Sequence, residues 1–190
     1  MYKVNEIFYS LQGEGFWTGT TMVFLRFSGC NLDCPFCDTN HSGYRELGAE
    51  EIVAEVVQMG RDCGRVCVTG GEPALQLDDV LVEALHGAGF KVHVETNGTR
   101  PLPEGVDWVT LSPKTDVPGL KGDGKVVLEK ADEVKVVYLG KEVGKWAEFP
   151  AAWHFLQPCS CANTAETVAY IQAHPCWRLS LQTHKYLNIR

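Results

Sequence analysis

Long apolar runs are absent from this sequence. None approaches the roughly eighteen residues that a membrane span requires, so a spanning role is not expected. Residues 1–6 (Met-Tyr-Lys-Val-Asn-Glu) lack the apolar core of a signal peptide, which argues against export and for a cytoplasmic location. Positive charge is also short. Lys and Arg number 17 against 24 Asp and Glu, for a net charge of −7, whereas a general nucleic-acid binder needs a basic face. There is no internal repeat and no low-complexity linker, so the 190 residues read as one domain spanning 1–190 with a sizeable core. Acidic residues themselves run out: none follows Glu166, whereas Arg178, Lys185 and Arg190 do. A locally basic tail on an acidic chain points to an anionic small molecule held near the carboxyl end.

Cysteine, by contrast, is plentiful. Eight cysteines could suggest disulfides, but a chain of this length and ordinary composition needs no such framework, and reduced thiols or metal ligands are the better reading. Three fall in Cys30-Asn31-Leu32-Asp33-Cys34-Pro35-Phe36-Cys37-Asp38-Thr39, a C-x3-C-x2-C spacing preceded by Gly29. Pro35 and the short polar residues oppose a helix, so this is a loop able to wrap its thiolates around one centre. Four-iron clusters normally take four thiolates. Three local thiolates with no obvious fourth would leave one iron open to a non-protein ligand, and an open metal position implies chemistry more than scaffolding. Two rivals stay open on spacing alone. Cys30, Cys34, Cys37 and His41 could form a Cys3His zinc site, or the thiols could be small buried hydrophobes.

Residues 4–9 and 22–27 read as strands from their β-branched and aromatic content. The loop between them, Ser10-Leu11-Gln12-Gly13-Glu14-Gly15, carries two glycines that can bring backbone amides close to a ligand or simply make a turn. Alternation puts Arg26 on the face of Phe24, as a surface charge or a carboxylate clamp. Residues 49–63 predict a helix with Ile52, Val53, Val56, Val57 and Gly60 on one face. Strand 65–69 runs into Gly70-Gly71-Glu72-Pro73, and helix 78–85 follows with Val80, Leu81, Ala84 and Leu85 inward. Strand 91–95 sets His93 and Glu95 on one face and Val92 and Val94 on the other. Further strands are expected at 107–111, 133–138, 153–156 and 177–181, and a helix at 164–173. Strands alternating with helices predict an α/β fold with a mainly parallel sheet. The chain is too short for an eight-unit barrel of about 250 residues, so a partial (incomplete) β/α barrel of about six mainly parallel strands with few covering helices is the expected architecture.

Ligands of parallel α/β folds bind beyond the carboxyl ends of the strands. Here those ends carry Thr69-Gly70-Gly71-Glu72-Pro73, Glu95-Thr96-Asn97, Ser112-Pro113-Lys114 and Gln157-Pro158. The cysteine spacing, an aromatic before the last cysteine and a strand ending in Gly-Gly-Glu-Pro together resemble the radical S-adenosylmethionine (SAM) superfamily. That resemblance implies a 4Fe–4S cluster on Cys30, Cys34 and Cys37, with SAM chelating the fourth iron. It also implies one-electron cleavage of SAM to a radical that abstracts hydrogen from substrate.

The flanking residues Ser10 to Gly15, Arg26, Gly29-Cys30-Asn31-Leu32 and Cys37-Asp38-Thr39 are similar to the 7-carboxy-7-deazaguanine synthase family of the queuosine and deazapurine pathway. The family implies ring contraction of 6-carboxy-5,6,7,8-tetrahydropterin to 7-carboxy-7-deazaguanine with loss of ammonia. It further implies a homodimer, Mg2+ as a cofactor, and a flavodoxin- or ferredoxin-type electron donor. Carried over residue by residue, Leu11, Gln12, Gly13 and Glu14 would read the pterin edge, with Thr69 also touching substrate. Arg26 would clamp the substrate carboxylate, and His184 and the terminal carboxylate of Arg190 would close over it. Thr39 would offer its hydroxyl to Mg2+. Phe36, Cys37 and Asp38 would lie along adenine, and Gly70, Gly71, Glu72, Glu95, Asn97, Ser112, Pro113, Lys114 and Gln157 would hold SAM.

A radical SAM activase that installs a glycyl radical in a partner protein is the alternative within the superfamily, and a non-catalytic zinc module lies outside it. Cys63, Cys67, Cys159, Cys161 and Cys176 match no second cluster, and His93, Lys135 and His154 could face the site, with an inert structural role the preferred reading for each. The metal readings separate directly. Anaerobically reconstituted protein should contain iron and sulfide at cluster stoichiometry, lost in Cys34→Ala and retained in His41→Ala. Stoichiometric zinc without iron, by elemental analysis, would reverse the assignment.

Overall fold

The computed structural model describes residues 1–40, 43–60 and 62–190. In chain order its elements are β1 (Tyr2–Leu11), β2 (Thr21–Phe27), β3 (Arg45–Leu47), α1 (Ala49–Gly60), β4 (Arg65–Gly70), α2 (Asp79–Gly87), β5 (Lys91–Thr96) and β6 (Trp108–Leu111). There follow β7 (Glu133–Tyr138), α3 (Gly144–Ala147), β8 (Trp153–Pro158), α4 (Thr164–Ala173), β9 (Arg178–Leu179) and α5 (Thr183–Leu187). The strands form one sheet ordered β3-β1-β2-β4-β5-β6-β7-β8-β9. Pairing is parallel from β2 through β9 and antiparallel for β1 with β2 and with β3. With β3 and β9 at opposite ends of that order the barrel is partial. Six parallel strands have four residues or more, and β9 adds only two.

Alternation along each strand divides the molecule into an outer and an inner layer. Outward residues Val23, Leu25, Val66, Val68, Val92 and Val94 pack under α1 and α2 through Ile52, Val56, Leu81, Val82 and Leu85. Val134, Val136 and Leu156 pack with Trp146 of α3 and with Tyr170 and Ile171 of α4. The inner face holds Phe8, Met22, Phe24 and Cys67 with Trp17 against them. Complete burial of a side chain such as Leu81 or Ile52 contributes about 1.5–3 kcal/mol.

The expected helix 49–63 stops at Gly60, where a side chain would overlap the Phe90 ring. Val57 and Val80 face solvent, at 49% and 63% exposure. In α2 the buried stripe is Leu81, Val82 and Leu85, because at 100° per residue Val82 takes the inward place assigned to Val80. Asp78 caps that helix, accepting from Leu81 N at 3.0 Å and from the Tyr2 hydroxyl at 2.6 Å. The last strand shrinks from 177–181 to Arg178–Leu179.

One junction fixes where the cysteine loop leaves the sheet. Gly71 N donates to Phe27 O at 3.1 Å and Glu72 N to Gly29 O at 2.9 Å. The end of β4 is thus stitched to the end of β2, immediately before Cys30. Gly70 sits at φ +125°, and a side chain at Gly70 or Gly71 would run into the backbone of Phe27 or Gly29. Gly70→Ala is therefore expected to cost about 1–3 kcal/mol, since this backbone region is nearly restricted to glycine. Gly87→Ala, with open space around it, should leave stability within about 0.5 kcal/mol of wild type. Urea midpoints of the two variants check both.

Candidate active site

A cleft of about 570 Å3 opens beyond the carboxyl ends of the parallel strands. One wall is the loop 28–40. That loop is held without a helix: Cys37 N donates to Cys34 O at 3.0 Å, and Asp33 and Lys121 exchange backbone hydrogen bonds at 3.0 and 3.2 Å. Asn31 donates to Thr99 Oγ1 at 2.8 Å and accepts from Asn97 Nδ2 at 3.2 Å. Pro35 and the polar run therefore produce a loop anchored on β5 and on the 113–124 segment, with all three cysteines lining the cleft.

Burial pushes the Cys30 and Cys34 thiols up. Cys30 is raised further by Glu72 and Cys37, and Cys34 by Cys30 and Cys37, while the Lys114 ammonium acts against the rise at Cys34. Among the described residues no three His, Cys, Asp or Glu side chains are grouped to hold a single metal ion. A zinc site needs its ligands around one point, whereas an iron–sulfur cube meets each thiolate at a different iron. The donor set fits the cube, whose irons would supply positive charge to the thiolates of Cys30, Cys34 and Cys37. His41, the fourth ligand of the zinc reading, lies outside the described residues.

The opposite wall comes from the strand ends. Thr69, Gly70, Gly71, Glu95, Asn97, Ser112, Lys114 and Gln157 all line the cleft, as do Phe36, Cys37, Asp38 and Thr39. Lys114 Nζ donates to the Ser112 carbonyl at 2.7 Å and hydroxyl at 2.6 Å, and burial lowers its pKa. Two residues expected at SAM stand behind this wall. Pro113 is outside the lining. Glu72 is fully buried, and its carboxylate accepts from Ala74 N, Thr96 Oγ1 and Asn97 N at 2.9, 2.6 and 2.7 Å. Burial raises its pKa. Its side chain therefore clamps the end of β5 to the Gly-Gly turn, behind the lining of the cleft.

Substrate-side candidates Leu11, Gln12, Gly13, Glu14, Arg26, Thr69, His184 and Arg190 also line the cleft. The tail closes on the 10–15 loop: Thr183 N donates to Gly13 O at 2.9 Å, and a side chain at Gly13 would strike the His184 ring. Glu6 joins the two arginines, accepting from Arg26 Nε at 2.9 Å and from Arg190, with Phe8 beneath both guanidinium groups.

Of the two roles open to Lys135, the structure shows the one that faces the site: it lines the cleft as the centre of an ion network. Lys135 Nζ meets Glu14 Oε2 at 2.5 Å and Glu95 Oε2 at 3.1 Å. Gln182 donates to Glu14 at 2.9 Å, and Lys185 pairs with Asp38 at 3.0 Å. Burial opposes the Glu14 charge, but the Lys135 ammonium outweighs it and holds the carboxyl at about 2. Burial likewise opposes the Lys135 charge, and Glu14, Glu95 and Glu133 outweigh it, holding the ammonium well above the lysine range. A lysine set between Val134 and Val136 is the available signal, with Lys185 visible as part of the basic tail; Gln182 gives none. His93 stacks on Trp108 and meets Trp17 at a tilt, and His154 bonds the Phe149 carbonyl. Of the remaining cysteines only Cys159 reaches the lining among the described residues.

Comparison with known proteins bears on this arrangement. The radical SAM superfamily model matches residues 24–122. A 7-carboxy-7-deazaguanine synthase of Bacteroides thetaiotaomicron is 55% identical over the whole of both chains. One from Caulobacter vibrioides is 42% identical over 99% of each. The crystal structure of QueE from Escherichia coli superposes with a TM-score of 0.79 at 28% identity, covering 95% of this chain and 93% of that one.

Because folding depresses the Glu14 pKa from 4.5 to about 2, its contribution is complete above the unfolded value and is lost as pH falls through the folded one. Glu14→Gln should cost about 3 kcal/mol at neutral pH by leaving Lys135 underpaired. That deficit should shrink as pH drops from about 5 towards 2. Urea midpoints of both proteins across this range test the sign.

Proposed function

Because the chain belongs to the radical SAM superfamily and to its 7-carboxy-7-deazaguanine synthase family, we propose that it contracts 6-carboxy-5,6,7,8-tetrahydropterin to 7-carboxy-7-deazaguanine with release of ammonia. The observation that carries this reading is one cleft in which three cysteines, the Gly70-Gly71 turn and the Gln12–Glu14 loop face one another. Its volume of about 570 Å3 lies within the usual range for small-molecule sites. The chain's own tail lies against the 10–15 loop, which favours an enclosed small substrate over the protein substrate of an activase.

When bound, the cluster and SAM supply one-electron chemistry that removes a hydrogen atom from carbon. Cys30, Cys34 and Cys37 would hold the cluster. Gly71, Glu95, Asn97, Ser112, Lys114 and Gln157 would hold SAM, with Phe36 and Asp38 along its adenine. Gln12 and the ionised Glu14 would pair with donors and acceptors of the pterin edge, a contact that discriminates strongly because a missing partner leaves buried polar groups unpaired. Arg26 would bind the substrate carboxylate, with Glu6 orienting its guanidinium, and His184 and Arg190 would exclude water from above. Thr39 would give its hydroxyl to Mg2+, an ion that orients substrate and offsets developing negative charge. A homodimer and a flavodoxin- or ferredoxin-type donor complete the proposal on the ground of family alone.

Anaerobic incubation of the reconstituted protein with SAM, reductant, Mg2+ and the carboxypterin should yield the deazaguanine product by mass. Absence of product with an intact cluster would reject the reading. Arg26→Ala should lose about 3–5 kcal/mol of substrate binding with SAM binding retained, and Arg26→Lys should recover only part, since the planar fork is lost. Thr39→Ala should weaken the Mg2+ dependence of the rate, while Thr39→Ser keeps it.

A further inference from the structure

Lys135 lies midway along β7, 2% exposed, and no role assigned above uses it. Its ammonium is shared by two carboxylates, Glu14 at 2.5 Å and Glu95 at 3.1 Å. Each carboxylate has one further side-chain partner. Gln182 Nε2 donates to Glu14 Oε1 and Gln12 Nε2 to Glu95 Oε1, both at 2.9 Å. Gln12 Oε1 in turn accepts from Glu14 N at 3.1 Å. Gln12, Glu95, Lys135 and Glu14 therefore close a ring at the floor of the cleft. An ammonium is a compact point charge, so its attraction is divided between the anions beside it. Donors from a ligand on one carboxylate take up part of that group's charge and leave the ammonium more firmly on the other.

We propose that Lys135 is a positioning residue that couples the two ligands of the cleft, because the one buried cation fixes both Glu14 on the pterin side and Glu95 on the SAM side. The inference rests on the functional reading above, which gives these carboxylates to different ligands. Binding of the carboxypterin to Glu14 firms Glu95 in place for SAM. By linkage SAM strengthens pterin binding by the same factor. Gln12 adds a second connection, since it donates to the Glu95 carboxylate and accepts from the backbone N of Glu14.

The test uses the reconstituted holoenzyme with its cluster oxidised and no reductant, so that both ligands bind without turnover. Dissociation constants for SAM are measured with and without saturating carboxypterin, and for the carboxypterin with and without SAM. In the wild type each ligand should tighten the other by about tenfold. Lys135→Met should bring this factor below about twofold. Glu95→Gln, which leaves the Lys135–Glu14 pair in place and so keeps the buried ammonium paired, should do the same. A merely structural lysine would weaken each ligand equally whether or not the other is bound, leaving the factor unchanged. An unchanged factor in either variant overturns the proposal, and Glu95→Gln decides alone if Lys135→Met fails to load its cluster. Wild-type enzyme that binds both ligands with no coupling overturns the inference only. Failure to bind the carboxypterin at all overturns the functional reading, and the inference with it.

Discussion

A buried ammonium group has to be paired, because the cost of taking a lone charge out of water is several kcal/mol. Lys135 meets that requirement with Glu14 and Glu95, and much of the cleft's shape follows. Glu14 is held above β7 although it belongs to the loop after β1, and Glu95 is turned inward at the end of β5. The tail then attaches to what Lys135 has fixed: Gln182 binds Glu14 and also reaches Asp38 at 3.5 Å, and Lys185 pairs with Asp38 beside Cys37. A chain of charge thus runs from the floor of the barrel to the cysteine loop. Glu133 stands at its lower end, where it accepts from Phe16 N at 2.8 Å and Thr110 Oγ1 at 3.0 Å, and burial raises its pKa.

The second constraint is steric. The turn after β4 passes so close to the end of β2 that only hydrogen fits at Gly70 and Gly71. Two backbone hydrogen bonds join these segments, and Glu72 ties the same turn to β5 from behind. The cysteine loop begins at this junction, which is why a proline-containing, non-helical segment can present three thiols to one cleft. The Lys135–Glu14–Glu95 pairs and the glycine junction are both made by strands and the loops after them, and α5 with the residue before it adds Lys185 and Gln182 to the network. Helices α1 to α4 pack on the outer face of the sheet, whereas α5 lies at the cleft.

Much of this was legible in the residues. Period-two alternation located the parallel strands, and His93 and Glu95 fell on one face as parity requires. The Cys30–Cys37 spacing and the four polar strand ends described one site before any coordinates, because ligands of parallel sheets gather at strand ends regardless of which strands are neighbours. What misled was local. Val57 and Val80 are apolar residues on exposed helix faces, and short elements such as β3, α3 and α5 carry too few residues for a period to emerge.

The sequence by itself determined the chemistry available: three thiolates in a loop, glycines where backbones must approach, an arginine and carboxylates on the inner face. These follow from residue type, spacing and parity, which are properties of the chain alone. Tertiary structure decided which of these groups meet. Lys135 and Glu14 are 121 residues apart, and Gln182 and Glu14 are 168 apart, so no local pattern encodes their contact. It likewise set the Glu72 carboxylate behind the cleft wall, where accepting from Ala74 N, Thr96 Oγ1 and Asn97 N ties the Gly-Gly turn to the end of β5.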